Sequence, residues 1–457
     1  MKGDWFDRFQ KNPGLLPTPV RTRNGSGHLV ALLSERRVSE RLAPAELARQ
    51  QRGALLELAR HAAAHSPHFS RRLASAGLTP WMLAENGGLE QLPPLTRREL
   101  VDAGDALFCQ GSPASHGPVS TTSTSGSTGE PVTVRRTAMC ELQWLVYTLR
   151  EHLWHDRDFS GRLAAVRANL TAPLDLPDWG QPCNLLVRTG PWSGMPGTSS
   201  IQEICRWLGE FDPDYLLILP SSLAGMVAEL DLTGQRLPRL RGVRTLSETV
   251  SPRLREEVRR VLGVEIDDIY TSQECGVMAT QCPETGAYHV SESILLEVID
   301  DAGGACGPGE TGRILVTDLA NYATPIIRYE IGDFAEVGGP CTCGRGLPTI
   351  RRFLGRERNL VLLPDGTRHW PLVGFHRWGE VHAIRQFQFI QLDRRTILAK
   401  MSAATPPGPE AERRLTAIIQ EELKYPFVIR YEWHEEALPR GPSGKFEEFV
   451  CQAVIEQ

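Results

Sequence analysis

Residues 121–131 read Thr-Thr-Ser-Thr-Ser-Gly-Ser-Thr-Gly-Glu-Pro, a run of hydroxyl side chains broken by Gly126 and Gly129. Such a stretch has almost nothing to bury. Its glycines let the backbone fold tightly, so that N–H and O–H groups can converge on an anion, most often a phosphate. Ser/Thr/Gly runs also serve as linkers, but Val119 before the run and Val132-Thr133-Val134 after it have strand spacing, which makes it a loop between strands. A second polar cluster, Thr271-Ser272-Gln273-Glu274, follows the apolar-rich segment 264–270. Open α/β sheets bind ligands at the carboxyl ends of such strands. A third set is sulfur and imidazole: Cys282 and His289 flank the turn-prone Pro283-Glu284-Thr285-Gly286, and Cys341-Thr342-Cys343 supplies another pair. Three thiolates and one imidazole make a closed tetrahedral zinc shell, which leaves no position for water and so staples without catalysing. The spacing is not that of a zinc finger, and in a chain with 10 cysteines, four unrelated side chains remain the alternative.

Something must position these groups. The 457 residues are too many for one core and correspond to roughly two to three units. With 41% hydrophobic and 23% charged residues, neither disorder nor a fibrous repeat is indicated. A net charge of −5 gives no reason to expect a nucleic-acid surface. No signal-peptide pattern opens the chain and no long apolar run occurs, so the expectation is a cytoplasmic protein with no membrane partner, its cysteines thiols or metal ligands rather than disulfides.

Residues 46–65 have helical spacing that stops at Ser66-Pro67, and Thr96 caps a helix after the rigid Leu92-Pro93-Pro94. A helix is expected over 138–154. The segment 163–197, interrupted by proline, glycine and tryptophan, receives no assignment. Beyond it helix and strand alternate: helices over 201–208, 222–230 and 251–263, strands over 215–219, 243–246 and 264–270, as in α/β sheets. Ser251, Pro252 and Gly263 punctuate the last of these helices. After Gly286 the texture changes to strands over 294–299 and 312–317, an antiparallel or barrel-like subdomain. A boundary near Gly355-Arg356 divides the chain into 1–355 and 356–457, the latter with strands over 386–391 and 396–401 and a helix over 410–423. No Gly-x-Ser-x-Gly elbow or Ser-His-Asp order supports a hydrolase.

Four motifs carry a family resemblance. Thr124-Ser125-Gly126-Ser127-Thr128-Gly129-Glu130-Pro131, Tyr270-Thr271-Ser272-Gln273-Glu274, Arg328-Tyr329-Glu330-Ile331-Gly332-Asp333 and Pro439-Arg440-Gly441-Pro442-Ser443-Gly444-Lys445 together resemble the adenylate-forming ligase superfamily, in the family's order. His65-Ser66-Pro67-His68-Phe69 and Leu92-Pro93-Pro94-Leu95-Thr96-Arg97-Arg98-Glu99-Leu100 are similar to the helical beginning of its phenylacetate–CoA ligase branch. The resemblance implies an α/β adenylate-forming ligase fold. Its large N-terminal domain would hold a helical lead-in, α/β sheets and a β-rich subdomain, and a small mobile α+β C-terminal domain would follow.

It also implies a reaction in two halves. A carboxylate attacks the α-phosphate of ATP to give an acyl-adenylate, and a thiol or amine then takes the acyl group. By position, Thr124, Ser125, Gly126, Ser127, Thr128 and Gly129 would hold phosphates, Glu274 would hold Mg²⁺, and Asp333 would bind the ribose hydroxyls. Lys445 would stabilise charge at the reacting carboxylate and α-phosphate. Arg358 matches the hinge, while Arg356, Tyr270, Thr271, Ser247 and Glu248 count among the nucleotide-binding residues, the last two in the region that contacts adenine. Some relatives hold a structural metal with a similar Cys-x₆-His and Cys-x-Cys arrangement, implying Cys282, His289, Cys341 and Cys343 as its ligands. Two positions depart from the family: Glu130 stands where many members have lysine, with Arg135 and Arg136 the first basic residues after it, and Thr271 stands where glycine is usual. Trp179, Trp192, Tyr215 and His152 line an aryl pocket or belong to the core.

The reading is an ATP- and Mg²⁺-dependent ligase activating a small-molecule carboxylic acid, an aromatic one as first choice, with coenzyme A as acceptor. The alternatives are an amine acceptor, giving an amide, a reaction that stops at adenylyl transfer to an acidic cofactor, and a non-catalytic nucleotide-binding relative motivated by Glu130. Oligomeric state stays open, a homodimer included.

Overall fold

The computed structural model describes residues 26–123, 132–356, 360–369, 381–436, 438, 446 and 448–453. It divides into two compact units, one of residues up to Leu163 with Asp175–Ser193 and Asp267–Phe353, the other of Ala164–Leu174, Gly194–Ile266 and the chain from Leu354 onward.

The first unit opens with helices α1 (Ser26–Ser39), α2 (Pro44–His65), α3 (Pro67–Ala76) and α4 (Arg97–Asp102). The expected stop at Ser66-Pro67 holds, but the proline also starts α3: it needs no N–H in a first turn, and Ser66 Oγ accepts from Phe69 N at 3.3 Å. Leu58, Ala59 and Ala62 of α2 bury against Phe69, Leu73, Leu92 and Ile327. Strands β1 (Val119–Ser123) and β2 (Thr133–Thr137) form an antiparallel hairpin in which Ser123 pairs with Thr133, so the hydroxyl-rich run is flanked by strands as its neighbours predicted. Helix α5 (Ala138–Trp154) follows at once, capped by Thr137.

In the second unit, β3 (Leu163–Arg167), β4 (Leu174–Leu176) and β5 (Trp192–Pro196) lie in the segment the sequence left unassigned. Then α6 (Ile201–Phe211), β6 (Tyr215–Ile218), α7 (Pro220–Thr233), β7 (Gly242–Leu246) and α8 (Pro252–Leu262) alternate as expected. The strand order is β7–β6–β3–β5–β4, with β6 and β7 parallel. The apolar stripes of the helices close on the strands: Ile204, Leu208, Leu223, Val227, Val243, Val258 and Ile266 share one core. Ser251 Oγ accepts from Leu254 N at 3.1 Å, and Gly263 ends α8 with φ 70°.

The first unit resumes with β8 (Ile266–Ser272), β9 (Gly276–Gln281), β10 (Tyr288–Val290), β11 (Ile294–Ile299), β12 (Thr311–Asp318), β13 (Tyr329–Val337) and β14 (Thr349–Arg356), in the order β11–β12–β13–β14–β10–β9–β8. The antiparallel pairings β8–β9, β9–β10, β10–β14, β11–β12 and β12–β13 match the expected change of texture. Towards the carboxyl end, β15 (Gln386–Gln391), β16 (Thr396–Ser402), α9 (Pro409–Glu422), β17 (Val428–His434) and β18 (Phe449–Cys451) build a sheet ordered β17–β16–β15–β18 over its own core of Phe389, Ile397, Leu415, Ile419, Phe427 and Phe449.

Candidate functional site

Glu274 lies in the turn between β8 and β9, where the Ser272 hydroxyl accepts from Cys275 N at 3.0 Å, and the residue is only 7% exposed. A carboxylate so buried needs a cation. The described one is Arg97, whose Nη1 stands 3.6 Å from Glu274 Oε1. Arg97 is delivered by the lead-in. Thr96 and Glu99 form a reciprocal capping box at the start of α4, and Leu95 is stitched to the β-subdomain by Leu95 N to Arg328 O at 2.7 Å and Glu330 N to Leu95 O at 2.9 Å. Tyr329, in that stitch, is buried and hydrogen-bonded by Arg97; burial first, then the negative Glu274, pushes its phenol pKa up. Sequence reasoning saw Arg97 only as part of a helix.

Asp333 is aimed by a break in register. Arg313 pairs with Phe334 and Leu315 with Glu330, so residues 331–333 stand opposite Ile314 alone, and Gly332 takes φ 84°, a conformation glycine adopts without a Cβ clash. Tyr270 Oη donates to Asp333 Oδ2 at 2.6 Å. The Tyr270 ring stacks on Phe353 with centroids 3.8 Å apart, so the donor is fixed before any ligand arrives. The β8–β9 ladder shifts register between Tyr270 and Thr271, just before the turn that carries Glu274. Three residues singled out separately, Tyr270, Glu274 and Asp333, thus belong to one unit.

Ser247 and Glu248 lie in the other unit, directly after β7. Ser247 holds φ 69°, uncommon for a residue with a side chain. Glu248 accepts from Ser221 N at 2.8 Å and Ser221 Oγ at 3.2 Å, at the amino end of α7, where a negative charge is favoured. Phe446 N also donates to it, at 3.3 Å. Arg356 ends β14. Thr124, Ser125, Gly126, Ser127, Thr128, Gly129, Glu130, Arg358 and Lys445 lie outside the described residues. Trp179 and His152 are buried and pack on each other with centroids 5.5 Å apart, and Trp179 Nε1 donates to Gly161 O at 2.9 Å. These two serve the core. Tyr215 is likewise buried, and Trp192 is half-buried.

The sulfur and imidazole set does converge. β10 pairs with β9 on one side and β14 on the other, which brings the turn after β9 and the turn before β14 together beside His289. The ligand atoms of Cys282, His289, Cys341 and Cys343 all lie within 4.8 Å of one another. His289 Nε2 is 3.2 Å from Cys343 Sγ, and Cys341 Sγ is 3.9 Å from Cys282 Sγ. Burial opposes the Cys282 thiolate, but hydrogen bonds from His289, Thr285 and the local backbone outweigh it and leave its pKa below the ordinary thiol value. Three soft thiolates and an imidazole suit zinc and leave no fifth donor. A second set of metal-ligand types, Glu151, His155 and Asp267, already holds a cation of its own: Arg157 Nη1 is 2.6 Å from Glu151 and Nη2 is 2.8 Å from Asp267. His155 spends both ring nitrogens on Asp267 and Gln281 O, so this set is an internal ion network.

A network the sequence did not announce ties the lead-in to the β-subdomain. The buried Arg150 places Nη1 2.8 Å from both oxygens of Glu292, Ser39 Oγ donates to Glu292 at 2.9 Å, and Trp154 Nε1 donates to Glu40 at 3.0 Å. Burial raises the Glu40 pKa, with Arg150 and Arg345 pulling the other way.

No family model matches the sequence. The structure of a 2-hydroxyisobutyryl-CoA ligase, in the postadenylation state with 2-HIB-AMP, superposes with a TM-score of 0.72 at 16% identity, covering 90% of this chain and 91% of that one. The fold is therefore that of the adenylate-forming ligases. In sequence, the chain is 25% identical to the phenylacetate-coenzyme A ligase of Escherichia coli (strain K12) over 316 residues, 66% of this chain and 70% of that protein. It is 24% identical to the phenylacetate-coenzyme A ligase of Pseudomonas putida over 262 residues, 54% of this chain and 58% of that protein. In sequence, then, the chain is similar to the phenylacetate–CoA ligases. Among the described residues, no helix is long and apolar enough to cross a membrane.

Proposed function

We propose that the chain activates a carboxylic acid as its acyl-adenylate with ATP and passes the acyl group to coenzyme A. The observation that carries this reading is the Tyr270–Asp333 hydrogen bond, which joins distant stretches at the carboxylate we assign to the ribose, in the unit that also holds the buried Glu274 we assign to the metal. One oxygen of Asp333 is engaged by Tyr270, which would orient the carboxylate for ribose hydroxyls. Glu274 offers hard carboxylate oxygen of the kind that holds Mg²⁺ together with phosphates and water. Bound there, Mg²⁺ would neutralise phosphate charge. Arg97 adds a permanent positive charge beside the same carboxylate. Residues 124–129 would cradle phosphates and Lys445 would face the reacting carboxylate, roles that follow from the family resemblance. The independent core of the carboxyl-terminal sheet supports a boundary between 355 and 356, with Arg358 as hinge. We assign an aromatic acid as the first substrate class and the cytoplasm as the setting.

The test is pyrophosphate release from ATP across a panel of aryl and alkyl acids, followed by addition of coenzyme A or amines to any responding acid. Release with at least one acid and thioester formation with coenzyme A are expected. Silence across the panel overturns the ligase reading, and amide formation in place of thioester overturns the acceptor.

We further assign zinc to Cys282, His289, Cys341 and Cys343, as a staple for the turns around β10. About one zinc per chain is expected by metal analysis, with chelation lowering the melting temperature. Less than about one-tenth zinc per chain, together with normal folding of Cys341→Ser, removes the assignment.

A further inference from the structure

Arg136 is 6% exposed, and its Nη2 is buried without a hydrogen-bond partner among the described residues. Strand alternation puts it there: in β2 the inward positions are Val134 and Arg136, while Arg135 faces outward to Asp105 at 3.1 Å. Among the described residues no ion pair holds the Arg136 guanidinium. A guanidinium nitrogen buried without a hydrogen-bond partner is costly, and such a group persists where it has something to receive.

Its surroundings say what. The guanidinium lies 4.9 Å from the centre of the Trp144 ring. That ring packs against the backbone of Gly276, whose added Cβ would meet Trp144 at 3.4 Å, two residues from Glu274. Asp318, wholly buried, senses Arg136 without bridging to it, and burial pushes its carboxyl pKa up to about 7 despite Arg136 and the backbone N–H groups of Ala320 and Asn321. Asp318 in turn bears on Cys275, the neighbour of Glu274, and on Cys140. Asn321, on the same turn, also has its Nδ2 buried and without a partner among the described residues.

We propose that Arg136 is the specificity-determining residue of the acyl site, receiving a second carboxylate carried by the acid substrate. The inference rests on the ligase reading above. A guanidinium fork matches a carboxylate in two parallel hydrogen bonds, and the flat Trp144 face beside it suits the ring or chain that joins the two acid groups. The favoured class is a dicarboxylic acid, one group activated and the other bound.

The experiment compares matched monoacids and diacids, benzoate with isophthalate and terephthalate, phenylacetate with phenylenediacetate, and hexanoate with adipate, in the pyrophosphate-release assay. Wild type is expected to prefer the diacid of a pair by at least about tenfold in kcat/KM, and Arg136→Met to lower that diacid-to-monoacid ratio about a hundredfold, with Arg136→Lys in between. Thermal melting gives a second readout that needs no turnover. A millimolar diacid without ATP raises the melting temperature of wild type but not of Arg136→Met, and the unliganded Arg136→Met chain melts no lower than wild type because it has lost an unpaired charge. An unchanged ratio, or an unliganded variant melting several degrees lower, overturns the proposal. If no acid releases pyrophosphate, the ligase reading falls by itself, and the diacid melting shift still decides whether Arg136 receives a carboxylate.

Discussion

Tyr270→Phe isolates the orientation of Asp333 from everything else at the site. The ring keeps its stack on Phe353 at 3.8 Å, so only the hydroxyl that donates to Asp333 at 2.6 Å is lost. Hydrogen bonds to a charged acceptor contribute ~1.5–3 kcal/mol, or roughly 10- to 150-fold in an equilibrium. Both residues are half-buried, which favours the lower part of that range. The expected result is a rise of roughly 10- to 30-fold in KM for ATP in pyrophosphate exchange, with kcat falling less. The decisive form is a cycle with 2′-deoxy- and 3′-deoxy-ATP. If Tyr270 acts by aiming Asp333 at the ribose, the substitution and the missing hydroxyl remove parts of the same contact, and their penalties together fall short of their sum. Additive penalties, or a Tyr270→Phe enzyme within twofold of wild type, refute the coupling and with it the assignment of Asp333.

Three other outcomes follow from the same geometry. Arg97→Met removes the cation 3.6 Å from Glu274, and for a partly exposed pair worth ~1 kcal/mol the half-activating Mg²⁺ concentration should fall about fivefold; an unchanged Mg²⁺ dependence detaches Glu274 from the metal. Arg150→Ala strands Glu292 in the interior and should cost ~3–5 kcal/mol, read as a lower urea midpoint, whereas Arg150→Met with Glu292→Leu should recover most of it. Glu448 and Asp318 both titrate near pH 7 when folded, because burial, and for Glu448 also Glu248, disfavours the charged form. Each binds its proton more tightly folded than unfolded, so their contribution to stability is full below their ordinary range and is lost as pH rises to about 7. Glu448→Gln should therefore flatten part of the decline in stability between pH 4.5 and 7, and a slope identical to wild type contradicts the raised pKa of that carboxyl.

Local grammar carried a good part of this fold. Thr96, Ser251 and Gly263 cap and end helices where their chemistry says they should, since a cap is satisfied within one turn of its own backbone. β5 was illegible for the opposite reason: Gly194 and Pro196 argue against a strand, and only burial between neighbours makes one. The zinc-type ligands were legible as residue types, but their meeting depends on β10 pairing with two strands far apart in the chain. Asp333 was singled out by motif, whereas the register break beside it, and the Tyr270 hydroxyl that donates to it, are tertiary facts with no local signature.

The charge at the hydroxyl-rich loop shows most clearly what the fold adds. With Glu130 in place of a lysine, the two arginines that follow look in sequence like a displaced replacement. They cannot act together, because consecutive strand residues face opposite ways. Arg135 turns out to Asp105 and lies 4.0 Å above the Phe108 ring, while Arg136 turns inward over Trp144. The cation that does reach the Glu274 carboxylate comes from Arg97, which the backbone pairing of Leu95 with β13 holds in place. The helical lead-in therefore contributes charge to the candidate site as well as surface to the core, and a chain shortened past Leu95 would lose both.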